Sequence, residues 1–222
     1  MLIFSFDCAI KNFGYCVVEI KPNDWRAKIK IMIDLFHTFA ENLKKKAISK
    51  NTLNDFVQLT CLFNEFLDSF INVKAIGLRD IRDGQTEKLS ANKTKSFLNE
   101  LDEKYGKPNY VLVEKQMSLN NHAFAVENFV EYHYALGDGR LIIVSPGLKN
   151  LIYFDQKNGK YECFIGKQSN YLTNKKHTTY NCKYFFEHAG IWQKFGFDQV
   201  KKFDDISDAF MMCMAWVLLK YS

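Results

Sequence analysis

The sequence predicts an α/β fold, a five-stranded mixed sheet flanked by helices, and three observations carry that expectation. Residues 2–7 and 109–114 are short, nearly unbroken apolar runs, the mark of central strands covered on both faces. Elsewhere apolar residues recur at spacings of three and four, the period of a helix with one buried face. A hydrophobic content of 47% over 222 residues, 15% of them aromatic, supplies one full core, so 1–222 is read as a single domain.

The first strand ends at Asp7, and a turn over 8–12 leads to a second strand, 13–20, in which Gly14 marks a bulge or a close backbone approach. After a turn at 22–24, the alternation Lys28, Ile29, Lys30, Ile31 predicts a third strand over 27–36, completing a meander. Leu53, Phe56, Val57, Phe63, Phe66 and Phe70 then predict an amphipathic helix over 52–70. The mixed segment 72–90 is read as a loop or insertion, followed by a helix over 92–104 and the strand 109–114, which ends at Glu114. A helix over 120–136, a turn at 137–139 and a buried strand over 141–146 come next. Asn158 and Gly159 at the centre of 153–165 predict a hairpin, taken as a second insertion. A helix over 174–188, a loop over 190–199 and a last helix from Asp204 to about Leu219, with Asp204 as its N-cap, close the chain.

A net charge of +5 permits nucleic-acid binding without demanding it. The six cysteines have no CxxC spacing and sit mostly among apolar residues, so they are read as reduced thiols of an intracellular protein. The five histidines form no zinc-ligating cluster. No apolar run approaches the ~20 residues needed to cross a bilayer, and no basic leader precedes the first strand, so the expectation is a soluble chain with no membrane partner.

The chemistry is expected where the acids meet. Asp205 and Asp208 stand three apart, on one face of a helix. Acids also favour a helix start for capping and dipole reasons, and each strand-end acid alone fits a strand reaching solvent. Together, two strands ending in carboxylates and a helix opening on two more would gather four oxygen donors at one sheet edge, where α/β sites form. Four close carboxylates repel unless a hard divalent cation joins them. The chemistry such a set predicts is metal-assisted phosphodiester hydrolysis.

Three stretches resemble the motifs of one family. Phe6-Asp7-Cys8-Ala9-Ile10-Lys11-Asn12-Phe13-Gly14 is similar to the first-strand motif of RuvC-like Holliday junction resolvases. Val113-Glu114-Lys115-Gln116 is similar to their Glu-x-Gln motif, and 201–209, Lys201-Lys202-Phe203-Asp204-Asp205-Ile206-Ser207-Asp208-Ala209, to their last-helix motif. Within that group the resolvases of poxviruses and other large DNA viruses look closest. The glycine often found after the first Asp is replaced here by Cys8-Ala9.

The resemblance implies a ribonuclease H-like, RuvC-type fold, a homodimer, and paired symmetric nicks across branched DNA, the four-way junction. It implies Mg²⁺, with Mn²⁺ able to substitute, as two ions per site. The implied ligands and catalytic residues are Asp7, Glu114, Asp205 and Asp208, with the choice between Asp204 and Asp205 open and the spacing to Asp208 favouring Asp205. Lys175 and Lys176, with Lys11, Asn12, Gln116, Lys201 and Lys202, are the candidates for DNA contact. The helix 120–136 would supply the dimer contact through Ala123, Val126, Phe129, Val130 and His133, residues that a buried core face explains equally well. If the source is viral, the site of action is the host cytoplasm or the virion. Two other readings stand beside this one: a ribonuclease H-like nuclease for RNA–DNA hybrids or flaps, and a catalytically silent DNA-binding module.

Overall fold

In the computed structural model the described residues are 1–21, 25–44, 50–84, 86, 88–117, 119–135, 137, 139–150, 152–157, 160–165 and 171–221. The strands β1 (Leu2–Asp7) and β2 (Phe13–Ile20) are followed by two helices, α1 (Arg26–Lys44) and α2 (Lys50–Ser69), and by β3 (Ile71–Arg79). Then come α3 (Ala91–Tyr105), β4 (Tyr110–Glu114), α4 (Asn121–Ala135) and β5 (Arg140–Val144). A short 3-10 helix, Leu148–Asn150, leads to β6 (Ile152–Lys157) and β7 (Lys160–Ile165). The helices α5 (Tyr171–His188), α6 (Ile191–Phe195) and α7 (Phe203–Tyr221) complete the chain.

The five-stranded sheet has the order β3-β2-β1-β4-β5. Its first three strands are antiparallel neighbours, while β4 and β5 run parallel to β1, so β1, β3, β4 and β5 all end at one edge. Because side chains alternate along a strand, β1 faces two cores. Ile3 enters the core made by α1, α2, α5 and α7, and Phe4 and Phe6 enter the one made by α3 and α4. Ser5, on the Ile3 side, donates from Oγ to the carbonyl of Ala209 in α7 at 2.8 Å, tying the first strand to the last helix.

Gly14 answers to a close approach. A Cβ there would collide with the carbonyl oxygen of Asp205, so the glycine lets α7 lie directly on β2. The register irregularity in β2 falls elsewhere, between Val17 and Val18.

The structure corrects the sequence expectations at five places. Residues 27–36 belong to α1, whose Ile29 and Met32 are fully buried beside Trp25; the spacing of four and three prevails over the local Lys-Ile alternation. The third strand of the meander is instead β3, within the stretch expected as loop, and its buried Ile71, Val73, Ala75 and Ile76 pack on both cores. The strand β5 is the sheet edge rather than a buried strand, with Arg140 and Ile143 exposed. The expected loop 190–199 contains α6 and a 3-10 turn, Phe197–Gln199. Finally, Asp204 lies inside the first turn of α7 instead of capping it. The expected hairpin is present as β6 pairing antiparallel with β7; its turn at 158–159, like the expected turn at 22–24, lies outside the described residues.

Candidate metal centre

Alternation along the strands decides which way the acids point. Asp7 shares a face with Ile3 and Ser5, and Glu114 shares it with Leu112, which lies in the α7 core. Phe6 pairs in parallel with Val113, so Asp7 and Glu114 stand side by side at the ends of neighbouring strands. Asp208 arrives from the second turn of α7. Carboxylate oxygens of Asp7, Glu114 and Asp208 all lie within 4.8 Å of one another. Glu114 and Asp208 are buried, while Asp7 keeps partial exposure.

A residue without any motif sits among them. Lys149, in the 3-10 turn after β5, donates from Nζ to both oxygens of Glu114, at 2.9 and 3.1 Å, and to Oδ2 of Asp208 at 2.5 Å. Burial opposes its charge, but the carboxylates of Asp208, Glu114 and Asp7 prevail and hold its ammonium above the usual lysine range. Burial, and then Glu114, push the Asp7 carboxyl well above the aspartate range. Burial likewise raises Asp208 to about 6, against the pull of Lys149.

Asp205 stands outside this triad. It and Asp204 face Lys175 of α5, whose Nζ lies 2.5 Å from Asp204 Oδ2 and 4.0 Å from Asp205 Oδ1. Lys175 keeps the Asp204 carboxyl below its usual range despite burial, whereas burial and the neighbouring Asp204 raise Asp205.

The other sequence candidates fall around this centre. Lys11 is exposed and Asn12 half-buried in the turn after β1; Lys176, Lys201 and Lys202 are exposed near the starts of α5 and α7. Gln116 is spoken for locally: its side-chain amide donates to the Glu114 carbonyl at 3.1 Å and its backbone N–H to Glu127 Oε2 at 2.6 Å. Glu127, buried on α4, thereby fixes the chain that leaves Glu114. A lone lysine after Ser145-Pro146-Gly147 and a lone glutamate within a helix carry no spacing signal, so neither Lys149 nor Glu127 was accessible to pattern reasoning.

The donor set suits a hard divalent cation. All three ligand groups are carboxylates, and Oδ1 of Asp208 is buried with no hydrogen-bond partner among the described residues. Three carboxylates and the Lys149 ammonium together leave two negative charges, which one divalent ion balances.

Comparison with known proteins agrees with this architecture. The family described as Poxvirus A22 protein matches residues 65–220. No curated protein matches the sequence. The structure is similar to that of the Fowlpox virus resolvase in its complex with substrate Holliday junction DNA, with a TM-score of 0.55 at 16% identity over 99% of this chain and 98% of that one. It is similar to a second structure of the Fowlpox virus Holliday junction resolvase, with a TM-score of 0.52 at 13% identity over 98% of this chain and 97% of that one. Thermus thermophilus RuvC gives a TM-score of 0.50 at 9% identity over 99% and 97%. At these identities the likeness establishes the fold, which is ribonuclease H-like. Since the family match spans well over half of the 222 residues, this chain belongs to the family described as Poxvirus A22 protein.

Proposed function

We propose that this protein is a metal-dependent, structure-specific DNA endonuclease that resolves four-way junctions by paired nicks. The observation that carries the proposal is the convergence of Asp7, Glu114 and Asp208 from three distant parts of the chain into one set of adjacent carboxylates. These three would hold a divalent ion, Mg²⁺ or Mn²⁺, and Asp205 is the acid nearest in sequence from which a second would draw its ligand. Ions bound there would activate water and stabilise the leaving oxygen of a phosphodiester.

The remaining tasks fall to the chain's own groups. Lys149 balances the buried acids and orients Glu114 and Asp208. Glu127 holds Glu114 through the backbone of Gln116. Lys175, paired with Asp204 at a partly exposed position, is placed to exchange that carboxylate for a DNA phosphate. Lys176, Lys201 and Lys202 extend the positive surface beside it.

Paired nicks need two such sites, so the proposed assembly is a homodimer. The contact residues expected on α4 require revision: Ala123, Val126 and Val130 are buried within the protomer, and His133 leans on Asp102 at 3.3 Å. The outward residues Phe124 and Tyr132 are the ones a partner would meet. Among the described residues no helix is long and apolar enough to cross a membrane. The family points to a viral source, for which the host cytoplasm or the virion is the proposed place of action.

The test is cleavage of a labelled four-way junction against duplex, flap and RNA–DNA hybrid controls, in Mg²⁺ and in EDTA, for wild type and Asp208→Asn. Wild type is expected to nick the junction in pairs only with metal. The variant is expected to bind DNA yet lose cleavage by more than about 100-fold, the upper range for removing mere outer partners of a metal. Cleavage confined to the hybrid would move the reading to a ribonuclease, and a normally active variant would remove Asp208 from the ligand set.

A further inference from the structure

Of the basic residues considered so far for DNA contact, Lys175, Lys176, Lys201 and Lys202 belong to α5 and the approach to α7, which cover one face of the sheet, and Lys11 alone does not. The opposite face carries a second basic group at the same edge. Because β3 runs parallel to β1, the segment after Arg79 emerges beside the turn that follows Asp7. The register runs Asp7 to Gly14 to Leu78, which sets the end of β3 two strand spacings from Asp7, about 10 Å.

Residues 80–84 and 88–90 are built against that turn. The N–H of Ile81 donates to the Ile10 carbonyl at 2.9 Å, and the N–H of Ser90 donates to the Ile81 carbonyl at 2.8 Å. Ile81, fully buried, packs with Ile10 into the core under α3 and α4. The isolated bridge between Arg82 and Leu89 and the bond from Asp83 N–H to the Lys88 carbonyl, 2.8 Å, close the loop. Lys93, in the first turn of α3, donates from Nζ to the Arg82 carbonyl at 2.8 Å. Lys11, Lys88 and Lys93 therefore issue from one hydrogen-bonded frame, and all three are exposed. Arg82 is clamped onto Asp80 and Arg79 onto Glu100, so neither arginine is counted here. Among the described residues of this loop the exposed acids are Asp80, which Arg82 holds, and Asp83, and the first turn of α3 has none.

We infer that Lys11, Lys88 and Lys93 form a second phosphate-binding ledge, which holds the sugar-phosphate backbone of a duplex arm on the α3 side of the acids. The lysines of α5 and α7 grip backbone on the other side. The acids then lie between two basic rails, and the scissile strand is held before and after the point of cutting. The inference rests on the reading of the acid centre as a DNA nuclease.

Its test measures binding, with cleavage blocked by Asp208→Asn, of a fluorescent four-way junction and of a linear duplex over a range of salt. In that background the double variant Lys88→Ala/Lys93→Ala is expected to lower the slope of log affinity against log salt by about 1.8, at 0.9 per phosphate contact. The Lys88→Arg/Lys93→Arg variant, which keeps the charge, is expected to retain the parental slope. An unchanged slope in the alanine variant overturns the ledge, and so does an equal loss in the arginine variant, which would trace the effect to the Lys93 bond rather than to charge. A parent protein that binds junction no better than duplex would refute the junction reading alone, since the slope on duplex still reports on the ledge.

Discussion

Two lysines answer the acids at the start of α7, in different surroundings. Lys149 is 14% exposed and touches Glu114 and Asp208, whose side chains are 7% and 8% exposed. Lys175 is 30% exposed and faces Asp204 and Asp205 at 19% and 15%. The ion pairs are alike in chemistry, but their environments set different penalties for breaking them. Around Lys149, losing one partner strands the others out of reach of water, whereas Lys175 can trade its carboxylate for solvent or for another anion. The inner group is thus a fixed unit of charge and the outer one an exchangeable contact.

The widest separation should come from Lys149→Met, which leaves three adjacent carboxylates uncompensated. Urea unfolding in EDTA is expected to show a loss of about 3–5 kcal/mol, the range for breaking a buried pair, with much of it recovered in Mg²⁺. Equal losses in both conditions would break the idea that the inner group awaits a cation.

A smaller effect follows from the Asp208 carboxyl at about 6. Its value is raised above the unfolded level near 3.9, so the stability it contributes is complete below that level and is lost as pH rises through about 6. A divalent ion binds the deprotonated form and reverses the trend. The rise in Tm produced by Mg²⁺ is therefore expected to be largest near pH 7.5 and to shrink as pH falls through about 6. A rise independent of pH would remove Asp208 from the site.

The smallest change is expected for Lys175→Ala. Its pairs are partly exposed, so unfolding should shift by less than about 1 kcal/mol, measured by the same urea titration. A loss matching that of Lys149→Met would merge the two groups into a single network.

The sequence already carried the acid-bearing edge in outline, for physical reasons. In β1 and β4, strands covered on both sides leave only Ser5 as a polar interruption before the end, and an acid at the end of such a run stands out. The paired acids of α7 showed themselves by helical spacing. The periphery was harder. In α1 the alternation around Ile29 and Ile31 imitates a strand, and only burial of Trp25, Ile29 and Met32 against α2 and the sheet settles the period. The outer strand β3 mixes Asn72, Lys74 and Gly77 with its apolar residues because one of its margins meets solvent. Lys149 was invisible because its partners, Glu114 and Asp208, lie 35 and 59 residues away. Only the folded chain brings them together.

The bond from Ser5 to the carbonyl of Ala209 spans 204 positions of sequence. During synthesis, the strand that bears Asp7 is made well before the helix that completes the acid set. Contacts of such long range form late and slowly. A chain that stops before α7 consequently lacks Asp208 and Lys149's second anchor. On the proposed reading, such a chain would lack a ligand that cleavage needs.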